Sequence, residues 1–279
     1  MGKRALSSLV LWTVVLAVLW WFRVDGATAI VAAIAGLTLL EFYKLLAAMG
    51  EAPFPVLGAG FGVLLTVGPW LEWRLGRPLE PVLGLAVIVF SVRVLGERTA
   101  EKRVSALAST LFGVVYVGAT LQYLIRLMTP VAGDAVSPDG RLVLGLWVVA
   151  AAKFSDVGGL LAGLAFGRHA LAPGISPKKT WEGAAGGVLM SILVGALVAW
   201  LGRAVLPAGF TPGRAALVAV PVAAVAIVSD LVESVIKRRA DLKDSGSVIP
   251  GIGGMFDLSD SILFAAPVGF FLLRPFLLR

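Results

Sequence analysis

Apolar runs separated by short polar stretches set the pattern of this chain. Nine of them approach the roughly 20 residues needed to cross a bilayer: about 5–22, 27–47, 54–71, 80–96, 104–127, 142–166, 183–202, 215–236 and 261–277. The pattern predicts an all-α, polytopic integral membrane protein of about nine transmembrane helices with a polar cavity facing the cytoplasm. Residues 1–127 read as structural transmembrane helices and 128–279 as the catalytic transmembrane region. The apolar run after Lys3 and Arg4 is long enough to span and has no A-x-A cleavage site behind it, so it is expected to stay as a first helix.

Composition agrees: 58% of the 279 residues are hydrophobic and 15% charged, a balance outside that of soluble domains. With the N-terminus inside, 14 of the 24 Lys and Arg fall in the cytoplasm and nine outside, Lys153 lying within a span. The positive-inside rule supports that orientation. Trp20, Trp21, Trp70, Trp73 and Trp200 then sit near outer span ends. The net charge of +7 is explained by topology and anionic lipid, without a nucleic-acid partner. The absence of cysteine excludes disulfides and thiolate metal sites.

Where the pattern breaks, chemistry gathers. Ser229–Ser261, between two apolar runs, holds six of the 17 acids: Asp230, Glu233, Asp241, Asp244, Asp257 and Asp260. It also holds Lys237, Arg238, Arg239, Lys243 and the glycine-rich Pro250-Gly251-Ile252-Gly253-Gly254. A charge at bilayer depth costs about 2.5–3.5 kcal/mol even on lenient scales, so such a collection points to a site. Asp230, Glu233 and Lys237 fall on one helix face, and Asp257 and Asp260 repeat the three-residue spacing. These carboxylates form a hard oxygen set suited to magnesium and phosphate oxygens rather than zinc. The glycines allow backbone N–H groups to approach an anion.

Upstream, Lys153 and Asp156 interrupt an apolar run and can pair on one face, lining a polar cavity. Gly159, Gly163 and Gly167 give that helix a smooth side for close packing. In Ser176-Pro177-Lys178-Lys179-Thr180-Trp181-Glu182-Gly183, Ser176 as N-cap and Pro177 as first residue predict a helix start. Lysines in the first turn of a helix oppose its dipole unless an anion sits there. The single histidine, His169, reads as solvated. Glu41, the one acid inside an apolar run of the N-terminal half, reads as a structural residue paired with Lys44 or another helix.

The signature stretch resembles the phosphatidate cytidylyltransferases (CDP-diacylglycerol synthases). The matching residues are Ser234, Lys237-Arg238, Lys243-Asp244-Ser245, Pro250-Gly251-Ile252-Gly253-Gly254 and Asp257-Leu258-Ser259-Asp260-Ser261. Ser176–Gly183 fills every fixed position of the family's S-P-x-K-T-x-E-G motif, and Asp156-Val157-Gly158-Gly159 matches its aspartate-bearing helix. The chain departs from the pattern at Ile252, where the family has His, and at Leu258, where it has Arg. Ser247 stands where a second His is frequent, and Ser229 where Gly usually precedes the aspartate.

The resemblance implies that CTP and phosphatidate give CDP-diacylglycerol and pyrophosphate in phospholipid biosynthesis. It implies Asp230, Asp257 and Asp260 as ligands of Mg2+, with room for a second cation. Lys243 and Asp244 then shape the nucleotide or phosphate pocket, with Gly251, Gly253 and Gly254 in the glycine segment. Ser176, Lys178, Lys179, Lys237 and Arg238 hold pyrophosphate or headgroup, Asp156 lines the cavity, and Glu182 and Glu233 support the ligands. A homodimer in the inner membrane, with its site facing the cytoplasm, is expected from the same resemblance. Two alternatives are an enzyme acting on another lipid phosphate or lipid alcohol, and an ion-coupled transporter using Lys153, Asp156 and Asp230. The clustering of the acids toward one membrane face, followed by a glycine loop, favours the enzyme.

Overall fold

Residues 2–78, 81–96, 100–131, 136–246 and 253–277 are described in a computed structural model of the chain. They are helical except for one hairpin and short connections. Among the described residues, seven helices are long and apolar enough to cross a membrane, and one further apolar helix is shorter. The protein is a multi-pass, all-α membrane protein.

The chain divides into two compact units. Unit one is residues 1–125 and 236–259; unit two is 126–235 and 260–279. Unit one contains α1 (Gly2–Ala48), α2 (Pro55–Leu75), α3 (Val82–Leu95) and α4 (Ala100–Gly113), the last leading through a π-helical turn, Val114–Ala119, into α5 (Thr120–Met128), which belongs to unit one as far as Ile125 and to unit two beyond it. The two spans expected at 5–22 and 27–47 are one helical element broken at Arg23, whose φ of 48° lies in the left-handed region. A straight helix would hold residues 18 and 26 about 12 Å apart. Here a methyl on Gly26 would strike the Val18 carbonyl, so the two segments meet at a sharp bend. Trp70 Nε1 holds Asp25 Oδ1 at 2.8 Å just past that bend, and Arg74 pairs with the other oxygen. The span expected at 80–96 is α3, only 14 residues long.

The core of unit one is aromatic. Phe42 stacks on Tyr116 and meets Phe112 and Phe256. The Tyr43 hydroxyl donates to the Thr110 carbonyl at 2.8 Å. Gly58 and Gly113 leave the space its ring fills.

Unit two contains α6 (Pro138–Phe166), a hairpin of β1 (Ala170–Ala172) and β2 (Ser176–Thr180), α7 (Trp181–Leu201), α8 (Pro212–Arg239) as far as Val235, and α9 (Met255–Leu277) from Asp260. Helices α6 and α7 pack closely through glycines. A methyl on Gly187 would sit 2.6 Å from the Ser155 carbonyl, and one on Gly183 would sit 2.9 Å from that of Gly159. The indole of Trp147 donates to the Gly195 carbonyl at 2.8 Å and meets Phe210 edge-on. Arg141, buried near the start of α6, donates to the Leu127 carbonyl at 3.2 Å and so caps the end of α5.

The hairpin corrects the helix start expected at Ser176-Pro177. These residues lie on β2, pairing Ala172 with Ser176 and Ala170 with Thr180, and Trp181 N donates to the His169 carbonyl at 2.9 Å. The N-cap of α7 is Thr180, extended, its Oγ1 accepting from Gly183 N at 3.1 Å. Proline is tolerated on a two-stranded ribbon, where each strand is an edge. Lys178 and Lys179 therefore project from a strand rather than from a first helical turn.

Candidate active site

Asp230 and Glu233 stand one turn apart on α8, and Asp260 opens the part of α9 in unit two. One carboxylate oxygen from each lies within 4.8 Å of the others. Glu233 and Asp260 are buried, and Asp230 is half-buried. Ser229, placed where the resemblance leads one to expect glycine, uses its hydroxyl to hold the Asp260 carbonyl at 2.5 Å, tying α8 to α9 beside the acids.

Two lysines flank this group. Lys179 Nζ, from β2, lies 2.6 Å from Asp230 Oδ2. Lys153 Nζ, from α6, lies 3.3 Å from both Asp156 Oδ2 and Asp260 Oδ1. The same Asp156 oxygen, Oδ2, also accepts from Ser261 Oγ at 3.0 Å. Asp156, Asp230, Glu233 and Asp260 thus gather with Lys153 and Lys179, and the group Asp230, Glu233 and Asp260 is close enough together to hold a metal ion. The donors are all oxygen, and three of them converge, which suits a hard cation.

A cleft of about 340 Å³ opens beside these groups. Its polar wall is Ser155, Asp156, Ser176, Lys178, Lys179, Thr180 and Asp230, and its apolar wall includes Leu160, Leu171 and Ile227. Lys178 and Lys179, the carboxylates of Asp156 and Asp230, and an apolar side meet in one cavity. Glu182 does not line it. Its Oε2 accepts from Arg168 N and His169 N at 3.1 and 3.2 Å, and its Oε1 lies 2.6 Å from His169 Nδ1, so it fastens the entry to the hairpin.

The remaining expected residues lie in unit one. Lys237 Nζ holds Asp257 Oδ1 at 2.7 Å. Asp257 Oδ2 accepts from Gly254 N at 2.9 Å and from Ser245 N at 3.1 Å, with Ser245 Oγ at 3.0 Å. The carboxylate expected as a metal ligand is therefore engaged by an ammonium, two amides and a hydroxyl. Helix α8 ends with Asp241 at φ 55° and Leu242 N returning to the Lys237 carbonyl at 2.9 Å, a left-handed stop that turns the chain toward Lys243. Arg238, Lys243 and Asp244 are exposed there. Gly253, at φ 127°, and Gly254 precede α9. Gly251, Ile252 and Ser247 lie outside the described residues.

Sequence reasoning gave little weight to Ser155, Thr180 and Ser261, whose hydroxyls carry no signal until the helices are placed. It gave Glu233 a supporting role, although the spacing that grouped it with Asp230 had already put it on the same face.

A multi-pass membrane protein with a carboxylate group able to hold a metal ion, adjacent lysines and a cleft with an apolar wall has the features of a membrane enzyme for phosphorylated substrates. The family can be stated from the whole sequence: the chain belongs to the cytidylyltransferase family, whose model matches residues 2–276. It is 30% identical to phosphatidate cytidylyltransferase of Synechocystis sp., over 90% of this chain and 88% of the relative. It is 31% identical to phosphatidate cytidylyltransferase of Mycobacterium bovis, over 85% and 77%. A chloroplastic phosphatidate cytidylyltransferase of Arabidopsis thaliana is also 31% identical, over 94% of this chain and 68% of the relative.

Proposed function

We propose that the protein is a phosphatidate cytidylyltransferase, joining CTP and phosphatidate into CDP-diacylglycerol and pyrophosphate. The observation that carries the reading is the convergence of Asp230, Glu233 and Asp260 beside Lys153 and Lys179, with Asp230 and Lys179 also on the wall of a cleft that has an apolar side. In the reaction a lipid phosphate oxygen forms a bond to the α-phosphorus of CTP while the bond from that phosphorus to the bridging oxygen breaks, releasing pyrophosphate. A phosphate monoester is already anionic near neutral pH, so the demand is positioning and charge neutralisation.

We assign Asp230, Glu233 and Asp260 as the residues that hold Mg2+. When bound, the cation offsets the charge of the phosphates and withdraws electrons from the reacting phosphorus. The chain supplies the rest. Lys178 and Lys179 carry positive charge to the cleft for the leaving pyrophosphate or the headgroup, and Ser176 and Thr180 offer hydroxyls. Lys153, held between two carboxylates, is a fixed counter-charge that fills the place of a second cation. The apolar wall takes the start of the acyl chains. Lys237 and Arg238 keep the pyrophosphate or headgroup role that the resemblance gives them, and Lys243, Asp244 and the glycines keep the nucleotide or phosphate pocket. Asp257, which the resemblance makes a metal ligand, is reassigned here to hold Lys237 and Ser245. Residues 128–279 remain the proposed catalytic region. A cleft on the cytoplasmic side of a cytoplasmic membrane fits the excess of lysine and arginine assigned to that side, and the homodimer rests on the resemblance alone.

Purified protein given labelled CTP, magnesium and phosphatidate tests the reading. A CDP-lipid product that appears only with a divalent cation is expected. Product from an isoprenoid-type phosphate alone would reassign the acceptor. Ion-driven uptake without turnover would replace the enzyme with a transporter.

A further inference from the structure

We propose that Glu41, in the N-terminal half, is a positioning residue that sets the geometry of Ser245 and of the first turn of α9. Glu41 is 3% exposed. Its Oε2 accepts from Ser245 Oγ at 3.0 Å and from Phe256 N at 2.9 Å. Ser245 Oγ lies equally close, 3.0 Å, to Asp257 Oδ2, so one hydroxyl links the α1 carboxylate to the aspartate that Lys237 holds. One turn earlier on α1, Thr38 Oγ1 meets Ser259 Oγ at 2.9 Å. The two residues give α1 two polar grips on the start of α9.

The glycines fit this carboxylate. A methyl on Gly246 would run into Glu41 Oε1, and one on Gly254 would lie 2.5 Å from Oε2. Gly246 and Gly254 thus have no room for a side chain where Glu41 stands, and Ser245 Oγ crowds Gly254 as well. Packing alone does not explain an acid here. An apolar side chain would fill the volume without the desolvation that a buried carboxylate carries. The carboxylate adds two donors gathered onto one oxygen, one from each end of the segment that runs from Lys243 to Asp257.

The inference rests on the proposed cytidylyl transfer, in which Lys243 and Asp244 serve the nucleotide. It is tested with full-length Glu41→Leu and Glu41→Gln, measuring KM for CTP, kcat, thermal unfolding and the rate of tryptic cleavage after Lys243. Losing a hydrogen bond to a charged group corresponds to a change of about tenfold or more. Glu41→Leu is expected to raise KM for CTP by that factor and to speed the cleavage, with little change in unfolding temperature. Glu41→Gln keeps an acceptor oxygen and is expected to stay near wild type. If Glu41→Leu does not fold, Gly246→Ala presses on the same carboxylate and is expected to raise KM in the same way. An active wild type with unchanged KM and cleavage in Glu41→Leu, or in Gly246→Ala in its place, overturns the positioning role. An inactive wild type overturns the proposed function instead, and the cleavage rates then decide the role of Glu41.

Discussion

Lys153 shows how much one side chain carries here. Its ammonium sits between Asp156 and Asp260 on mostly buried ground, so removing it leaves two carboxylates facing each other. Breaking a buried pair on one side costs about 3–5 kcal/mol. Lys153→Met is therefore expected to lower the unfolding temperature in chelator, and added Mg2+ should recover much of the loss. Equal stability with and without the lysine in chelator would show that the pair contributes nothing. Asp230→Asn and Asp260→Asn are expected to lower kcat/KM by about a hundredfold or more, as losses of preorganised charge do, with the fold retained. At this scale the sequence was partly legible. The spacing of Asp230 and Glu233 and of Lys153 and Asp156 placed each pair on one helix face. Glu41 was read as structural because Ser245 lies 204 residues away in the chain, a separation no local pattern bridges.

At the scale of elements, the hairpin and the α6–α7 contact decide where the lysines stand. Ser176-Pro177 has the chemistry of a helix start, but Thr180 offers the same cap four residues later, and β2 can pair with β1 only if the chain stays extended to that point. Local preference gave way to a tertiary pairing. The glycine face of α6 was legible, and so were the apolar runs behind the seven long helices among the described residues. The bend at Arg23 and the shortness of α3 were not, because both depend on what the neighbouring chain offers rather than on hydropathy. Gly187→Ala puts a methyl against the Ser155 carbonyl, and overpacking of this kind costs about 1–3 kcal/mol. Thermal unfolding in detergent is expected to show that loss, and an unchanged transition would mean that α6 and α7 can separate freely. Ala substitution of Lys178, which is exposed on the strand and lines the cleft, should raise the KM of a phosphorylated substrate while leaving stability near wild type.

The whole molecule is a multi-pass membrane protein of the cytidylyltransferase family, with a charge-rich C-terminal region set among apolar helices. Its lack of cysteine makes topology directly measurable. A single cysteine at position 178 is expected to react with an impermeant maleimide from the cytoplasmic side only. Labelling from the opposite side would reverse the proposed orientation. The central proposal is that Asp230, Glu233 and Asp260 hold a divalent cation. Titration of purified protein with Mn2+, followed by electron paramagnetic resonance, is predicted to find one bound ion per chain. That binding should be lost in Asp230→Asn and Asp260→Asn and kept in Asp257→Asn. Equal Mn2+ binding in wild type and in both cluster variants, or its loss only in Asp257→Asn, would contradict the account.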